Sequence, residues 1–228
     1  MFKFLPLLIL LSCSVQKVKI APSFYDRSLH ESEGKKMAIA SQGEFTSKAA
    51  QEMFDEGGNI IDAFVAASFA VSVERPQSTG IGGGGFLLYY SKEDKKTYAI
   101  DFREVAPLRS HKNLYLDKKG NPQPMLSREG VLAVATPGLV KGLWEIHQRW
   151  GKLPWSKTLE PAIRLAEQGF PLYPHLHRAI TYREDLLKKD PTARSIFFTV
   201  DGKVPELGYL IKQSDLAKTL RRISSQGA

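Results

Sequence analysis

An α+β fold is predicted by three features of this sequence. Ile60 to Val73 is apolar nearly all the way round at helical spacing, the runs Phe86 to Ser91 and Thr97 to Phe102 flank a charged turn, and amphipathic helical segments follow from Leu139 onward. A helix without a polar face belongs in the centre of a domain, and two short strands across a five-residue turn form an antiparallel hairpin.

In chain order, Met37 to Ser41 is short, apolar and followed by Gly43, as expected of a buried strand. Thr46 or Ser47 is positioned to cap a helix running to Glu56, and Gly57-Gly58 ends it. The apolar helix comes next, with Ala63, Ala66, Ala67 and Ala70 small enough for close packing; its length and the acids Asp62 and Glu74 argue against a membrane span. The hairpin carries Lys92 to Lys96 as its turn and brings the glycine run before it to the same end as Arg103 after it. Val131 to Thr136 reads as another strand, stopped by Pro137-Gly138. Leu139 to Trp150 has helical spacing closed by Gly151, and Pro161 is expected in the first turn of a further helix reaching Gly169. Residues 171–208 read as an irregular excursion with one or two short helices, and Ser214 as the cap of a last helix from Leu216 to Ile223.

The ends divide the chain into three parts. Lys3, the apolar run Phe4 to Leu11 and then Leu10-Leu11-Ser12-Cys13 resemble a bacterial lipoprotein leader, so residues 1–12 are expected to be removed and Cys13 to carry lipid. A plain secretory signal with a chance cysteine is the alternative. Ser14 favours an outer-membrane location facing the periplasm in a host with two membranes. Residues 13–36 are polar and mixed, as in a tether, and residues 37–228 form the globular part. Cys13 is the only cysteine, which excludes an internal disulfide, a zinc cluster or a cysteine nucleophile. A net charge of +8 would favour nucleic acid in a cytoplasmic protein; here export and the scatter of the basic pairs argue for a solvated surface and no nucleic-acid partner.

The stretch Gly80-Ile81-Gly82-Gly83-Gly84-Gly85-Phe86 satisfies the spacing G-x-G-x-x-G, with Asp101 where a ribose-binding acid would fall. The match is formal. A dinucleotide loop follows a strand and opens a helix, whereas a helix precedes these glycines and a strand follows them. No Lys followed by Ser or Thr closes a phosphate loop, no histidines lie in H-E-x-x-H spacing, and no G-x-S-x-G elbow is present. Neither a cofactor nor a metal is expected, and no nucleophile stands out. Asp101-Phe102-Arg103-Glu104 is different: an always-charged guanidinium beside a run of glycines is suited to fork a small carboxylate. Strand alternation predicts Asp101 and Arg103 on one face and Glu104 away from it, so that Asp101 fixes the arginine. The competing reading is an ordinary structural ion pair with Asp101 or Glu104.

Gly57-Gly58-Asn59 with Asp62-Ala63, the run Gly82 to Phe86, Asp101 to Pro107, Thr136-Pro137-Gly138 with Gly142, and Pro161-Ala162 with Leu165-Ala166 and Gly169-Phe170 resemble, in the same order, successive landmarks of the gamma-glutamyltranspeptidase family. The resemblance covers the chain from Met37 onward, as the N-terminal part of the family's large subunit. It implies the αββα sandwich of N-terminal nucleophile hydrolases, incomplete in this chain, and it implies that Arg103 binds the α-carboxylate of a γ-glutamyl donor such as glutathione. Asp101, Glu104, Gly82, Gly83, Gly84 and Gly85 would support that site. The family's nucleophile, an N-terminal threonine on a small subunit released by self-cleavage, has no counterpart in these residues, so a small subunit is the implied partner. A truncated or split product without turnover, and a relative acting on poly-γ-glutamate or β-lactam side chains, are the alternatives.

Overall fold

The computed structural model describes residues 33–228, of which Ile39–Ala228 forms one compact unit. The leader, Cys13 and the tether up to residue 32 lie outside the described residues. The elements are α1 (Glu44–Asp55), α2 (Ile60–Glu74), β1 (Phe86–Ser91), β2 (Lys96–Asp101), α3 (Leu139–Trp150), α4 (Trp155–Gln168), β3 (Phe170–Pro171), α5 (Pro174–Tyr182), α6 (Glu184–Leu187), α7 (Pro191–Phe197), β4 (Leu210–Ile211) and α8 (Ser214–Gln226). Helices and antiparallel strands are both present, in the mixed class the sequence predicts. Among the described residues the strands form two separate two-stranded ladders, β1 with β2 and β3 with β4.

The apolar helix α2 is the axis of the core. Val65, Phe69 and Val73 lie fully buried along it and meet Leu143 and Ile146 of α3, Leu159 and Ala162 of α4, and Leu220 of α8 in one continuous cluster. Its other side carries the small residues Ala63, Ala66 and Ala70, which let α1 approach through Ala49, Ala50 and Met53. Burial of the large side chains contributes roughly 1.5 to 3 kcal/mol each before chain entropy is counted. Trp155 ties the last helix to this core: its ring meets Phe69 edge-on at 5.6 Å and its indole N–H donates to the Ile223 carbonyl at 2.9 Å. No helix of the described residues is long and apolar enough to cross a membrane.

Both ends of α2 are held by buried carboxylates. At its start Asn59 and Asp62 form a capping box, the Asn59 side chain accepting from the Ile61 and Asp62 amides and Asp62 accepting from the Asn59 amide at 2.8 Å. Asp62 is fully buried and also accepts from the Lys152 and Leu153 amides, which anchors the chain that leaves α3. His147 Nε2 approaches the same carboxylate at 3.3 Å. At the other end Glu74 turns back to the N-terminus of α1, accepting from the Phe45 and Thr46 amides and from the Thr46 hydroxyl. A carboxylate there meets unpaired amides and the positive end of the helix dipole.

That contact corrects the expected start of α1. The helix begins at Glu44 after Gly43, and Thr46 lies inside its first turn, so a carboxylate from a distant helix does the capping predicted for Thr46 or Ser47. Its end is as expected: Gly57 adopts φ +80°, which favours glycine, and Gly58 N–H returns to the Met53 carbonyl at 2.8 Å.

Other boundaries also move. Met37 to Ser41 is not a strand, because it has no ladder partner among the described residues. Val131–Ala133 is a single 3-10 turn, and only Thr136 of that expected strand pairs, in an isolated antiparallel bridge with Val105. Pro161 sits in the middle of α4, which starts at Trp155 after Pro154. It is buried in the core face, and packing outweighs the hydrogen bond that a proline withholds. Ser214 is the first helical residue of α8 rather than its cap, and the region after Pro171 holds three short helices.

Candidate functional site

The hairpin and the N-terminus of α3 together position the candidate site. Phe86 pairs with Asp101 at the end of the β1–β2 ladder, and one further pair extends it, with Phe102 N–H donating to Gly85 O at 3.0 Å and Gly85 N–H to Phe102 O at 3.3 Å. The expected register is therefore present, and the glycine run lies directly against residues 102–104.

Close approach, not left-handed backbone, is what the glycines supply: none of Gly80 to Gly85 has a positive φ. A Cβ on Gly84 would stand 2.5 Å from the Phe102 carbonyl oxygen and 2.7 Å from the Glu104 amide nitrogen, and one on Gly85 would meet the Phe102 ring at 2.9 Å. Gly83 sits 3.5 Å, measured from a built Cβ, from a Glu104 carboxylate oxygen, whereas Gly82 faces open space. The Gly83 carbonyl accepts from both the Gly138 and Leu139 amides, at 3.0 and 2.9 Å, so the first free N–H groups of α3 hold the glycine run in place.

The same helix grips the other strand. A Cβ on Gly142 would fall 2.3 Å from Phe102 Cβ, and one on Gly138 would fall 2.1 Å from the Phe102 carbonyl oxygen. Phe102 thus lies in a notch cut by Gly138 and Gly142, one helical turn apart, and Arg103 emerges from it. The notch was not legible as a site element. Gly142→Ala forces Phe102 to move and is expected to cost about 1 to 3 kcal/mol of stability, as overpacking does; an unchanged melting temperature would show that the notch has slack.

Arg103 projects outward, with 64% of its side chain exposed. Its side-chain partner is not Asp101, as strand alternation predicts, but Glu104, which the ion-pair reading also allowed. Asp101 and Arg103 are both exposed on either side of the buried Phe102, but the Asp101 carboxylate accepts from the Arg103 backbone N–H at 2.9 Å. The guanidinium Nε instead lies 3.0 Å from Glu104 Oε2, without the alignment of a hydrogen bond. The ring of Phe86 lies 5.8 Å below the guanidinium carbon. Among the described residues the two terminal nitrogens of Arg103 form no hydrogen bond, which leaves the fork that a carboxylate would occupy open. No group of three or more His, Cys, Asp or Glu among the described residues is arranged to hold a metal ion.

The chain as a whole has known relatives. A family model described as gamma-glutamyltranspeptidase matches residues 46–228. The chain belongs to the gamma-glutamyltranspeptidase family. It is 42% identical over 190 residues to a glutathione hydrolase proenzyme of Pseudomonas aeruginosa, covering 83% of this chain and 33% of that protein. With a glutathione hydrolase proenzyme of Bacillus subtilis it shares 37% identity over 213 residues, 92% of this chain and 36% of the relative. The gamma-glutamyltranspeptidase crystal structure from Helicobacter pylori superimposes with a TM-score of 0.82 at 36% identity, covering 86% of this chain and 56% of that one. The chain therefore spans about a third of the length of these curated gamma-glutamyltranspeptidase relatives.

Proposed function

We propose that this chain is the N-terminal part of the large subunit of an enzyme that transfers or hydrolyses γ-glutamyl groups, and that it contributes the donor-binding arginine. The open fork of Arg103 carries the reading, supported by family membership and by the glycine run that brings the backbone close beside it. The donor α-carboxylate would lie bidentate on the guanidinium, with Glu104 limiting its swing and Asp101 fixing the backbone at the strand end.

In this reading the chemistry is completed by a segment other than these residues. A threonine hydroxyl attacks the γ-amide carbon, its own α-amine takes the hydroxyl proton, and the C–N bond breaks to release the amine with that proton. Water or an amino acid then attacks the γ-glutamyl ester and regenerates the threonine. Arg103 holds the donor so that the γ-carbonyl meets the nucleophile.

The outer face of the hairpin supports the existence of a further layer. Phe86, Leu88 and Tyr90 are 60 to 76% exposed on one side of β1, and Val105, Val131 and Val134 are exposed as well. Apolar side chains of this number suit a covering sheet, as the αββα sandwich requires. A small subunit, linked or separately encoded, is the proposed occupant. Cys13 is the proposed lipid attachment point, placing the enzyme at an outer membrane on its periplasmic side; fatty-acid labelling that persists after Cys13→Ala would overturn the anchor. Glutamate release from glutathione is expected when this chain is combined with a threonine-bearing small subunit and not from the chain alone. Robust turnover by the chain alone would refute the proposed division of labour.

A further inference from the structure

A charged recess that Arg103 does not line lies elsewhere on the fold. A cleft of about 340 Å³ opens between the turn after α2 and helices α5 to α7, floored by Leu176, Ile180 and Phe197. That volume is at the small end of ligand pockets. Its polar wall is basic: His175 and Arg183 line it, and none of its lining residues is acidic. Arg183 is partly balanced by Glu129, 3.3 Å away.

Arg75 stands behind His175. Its Nη2 lies 2.9 Å from His175 Nδ1, its Nη1 donates to the Gln42 carbonyl, and its buried Nε has no hydrogen-bond partner. Among the described residues no carboxylate pairs with it. A guanidinium can only donate, so His175 Nδ1 accepts and the neutral ring carries its proton on Nε2. The histidine is therefore fixed as a donor at Nε2, backed by a guanidinium that no carboxylate among the described residues balances, while the floor is apolar.

We propose that this cleft binds a small carboxylate with an apolar or aromatic body, the carboxylate on His175 and Arg183 and the body on Leu176 and Ile180. The proposal does not depend on the donor reading of Arg103. It is tested with phenylacetate and its uncharged counterpart phenylacetamide, following amide shifts of the purified full chain by NMR. Saturable shifts of the Gln77, Ala179 and Arg183 amides are expected with phenylacetate, at least fivefold weaker with phenylacetamide. Ala179→Phe, which fills the cleft, is expected to abolish them. Should that variant not fold, Arg183→Gln, on the rim, is expected to weaken binding at least fivefold. Absent or non-saturable shifts, equal binding of the two probes, shifts confined to the surroundings of Arg103, or affinity unchanged by these substitutions would each overturn the proposal.

Discussion

Arg103→Lys is expected to raise the KM for γ-glutamyl donors by tens- to several hundred-fold in an enzyme completed with its small subunit, while kcat falls less. Loss of a bidentate carboxylate pair that the completed enzyme shields from water, worth about 2 to 4 kcal/mol, gives this range at about 1.4 kcal/mol per tenfold. Lysine keeps the charge but presents a single point donor, so it separates fork geometry from simple attraction. Because the side chain is mostly exposed in this structure and its contact with Glu104 is not an aligned hydrogen bond, the substitution should leave stability almost unchanged. Steady-state kinetics with a γ-glutamyl anilide, alongside a melting curve, checks both parts. A donor KM within twofold of the parent would remove Arg103 from the site.

Asp62→Ala is expected to destabilise the described fold by about 3 to 5 kcal/mol. It removes the acceptor for the Asn59, Lys152 and Leu153 amides at once, and it leaves His147 in a buried position without its neighbouring carboxylate. For a chain of this length the loss corresponds to a melting temperature lower by roughly 6 to 20 °C. Asp62→Asn retains one acceptor oxygen and should cost about half as much. Differential scanning calorimetry decides, and a shift under about 2 °C for the alanine variant would mean that water replaces the carboxylate.

Periodicity was a good guide where burial follows from local pattern. The all-apolar α2, the hairpin and its register, and the amphipathic α3 could be read because each presents its own face to the core. Met37 to Ser41 and Val131 to Thr136 misled for a common reason: strand identity belongs to a pair, and among the described residues the first has no ladder partner and the second only the single Thr136–Val105 bridge. Glu74 capping α1 and Phe102 seated between Gly138 and Gly142 join positions tens of residues apart, so no local window contains them. For Arg103 the neighbour expected from alternation was wrong: sharing a face with Asp101 does not bring the two side chains together, because the Asp101 carboxylate is taken by the Arg103 backbone N–H and the guanidinium swings to Glu104. The capping box was available in Asn59 and Asp62, three apart, but the amides of Lys152 and Leu153 that complete it were not.

The two hydrogen bonds from α3 to the Gly83 carbonyl carry a thermodynamic consequence. Arg103 takes its place only when residues 83–85, 102–104 and 138–142 have come together, which closes a loop of more than thirty residues between the second strand and the helix. Any ligand that grips Arg103 must then favour the docked helix by the same free energy with which docking favours the ligand. A carboxylate ligand that grips Arg103 should accordingly slow amide hydrogen exchange in the first turns of α3.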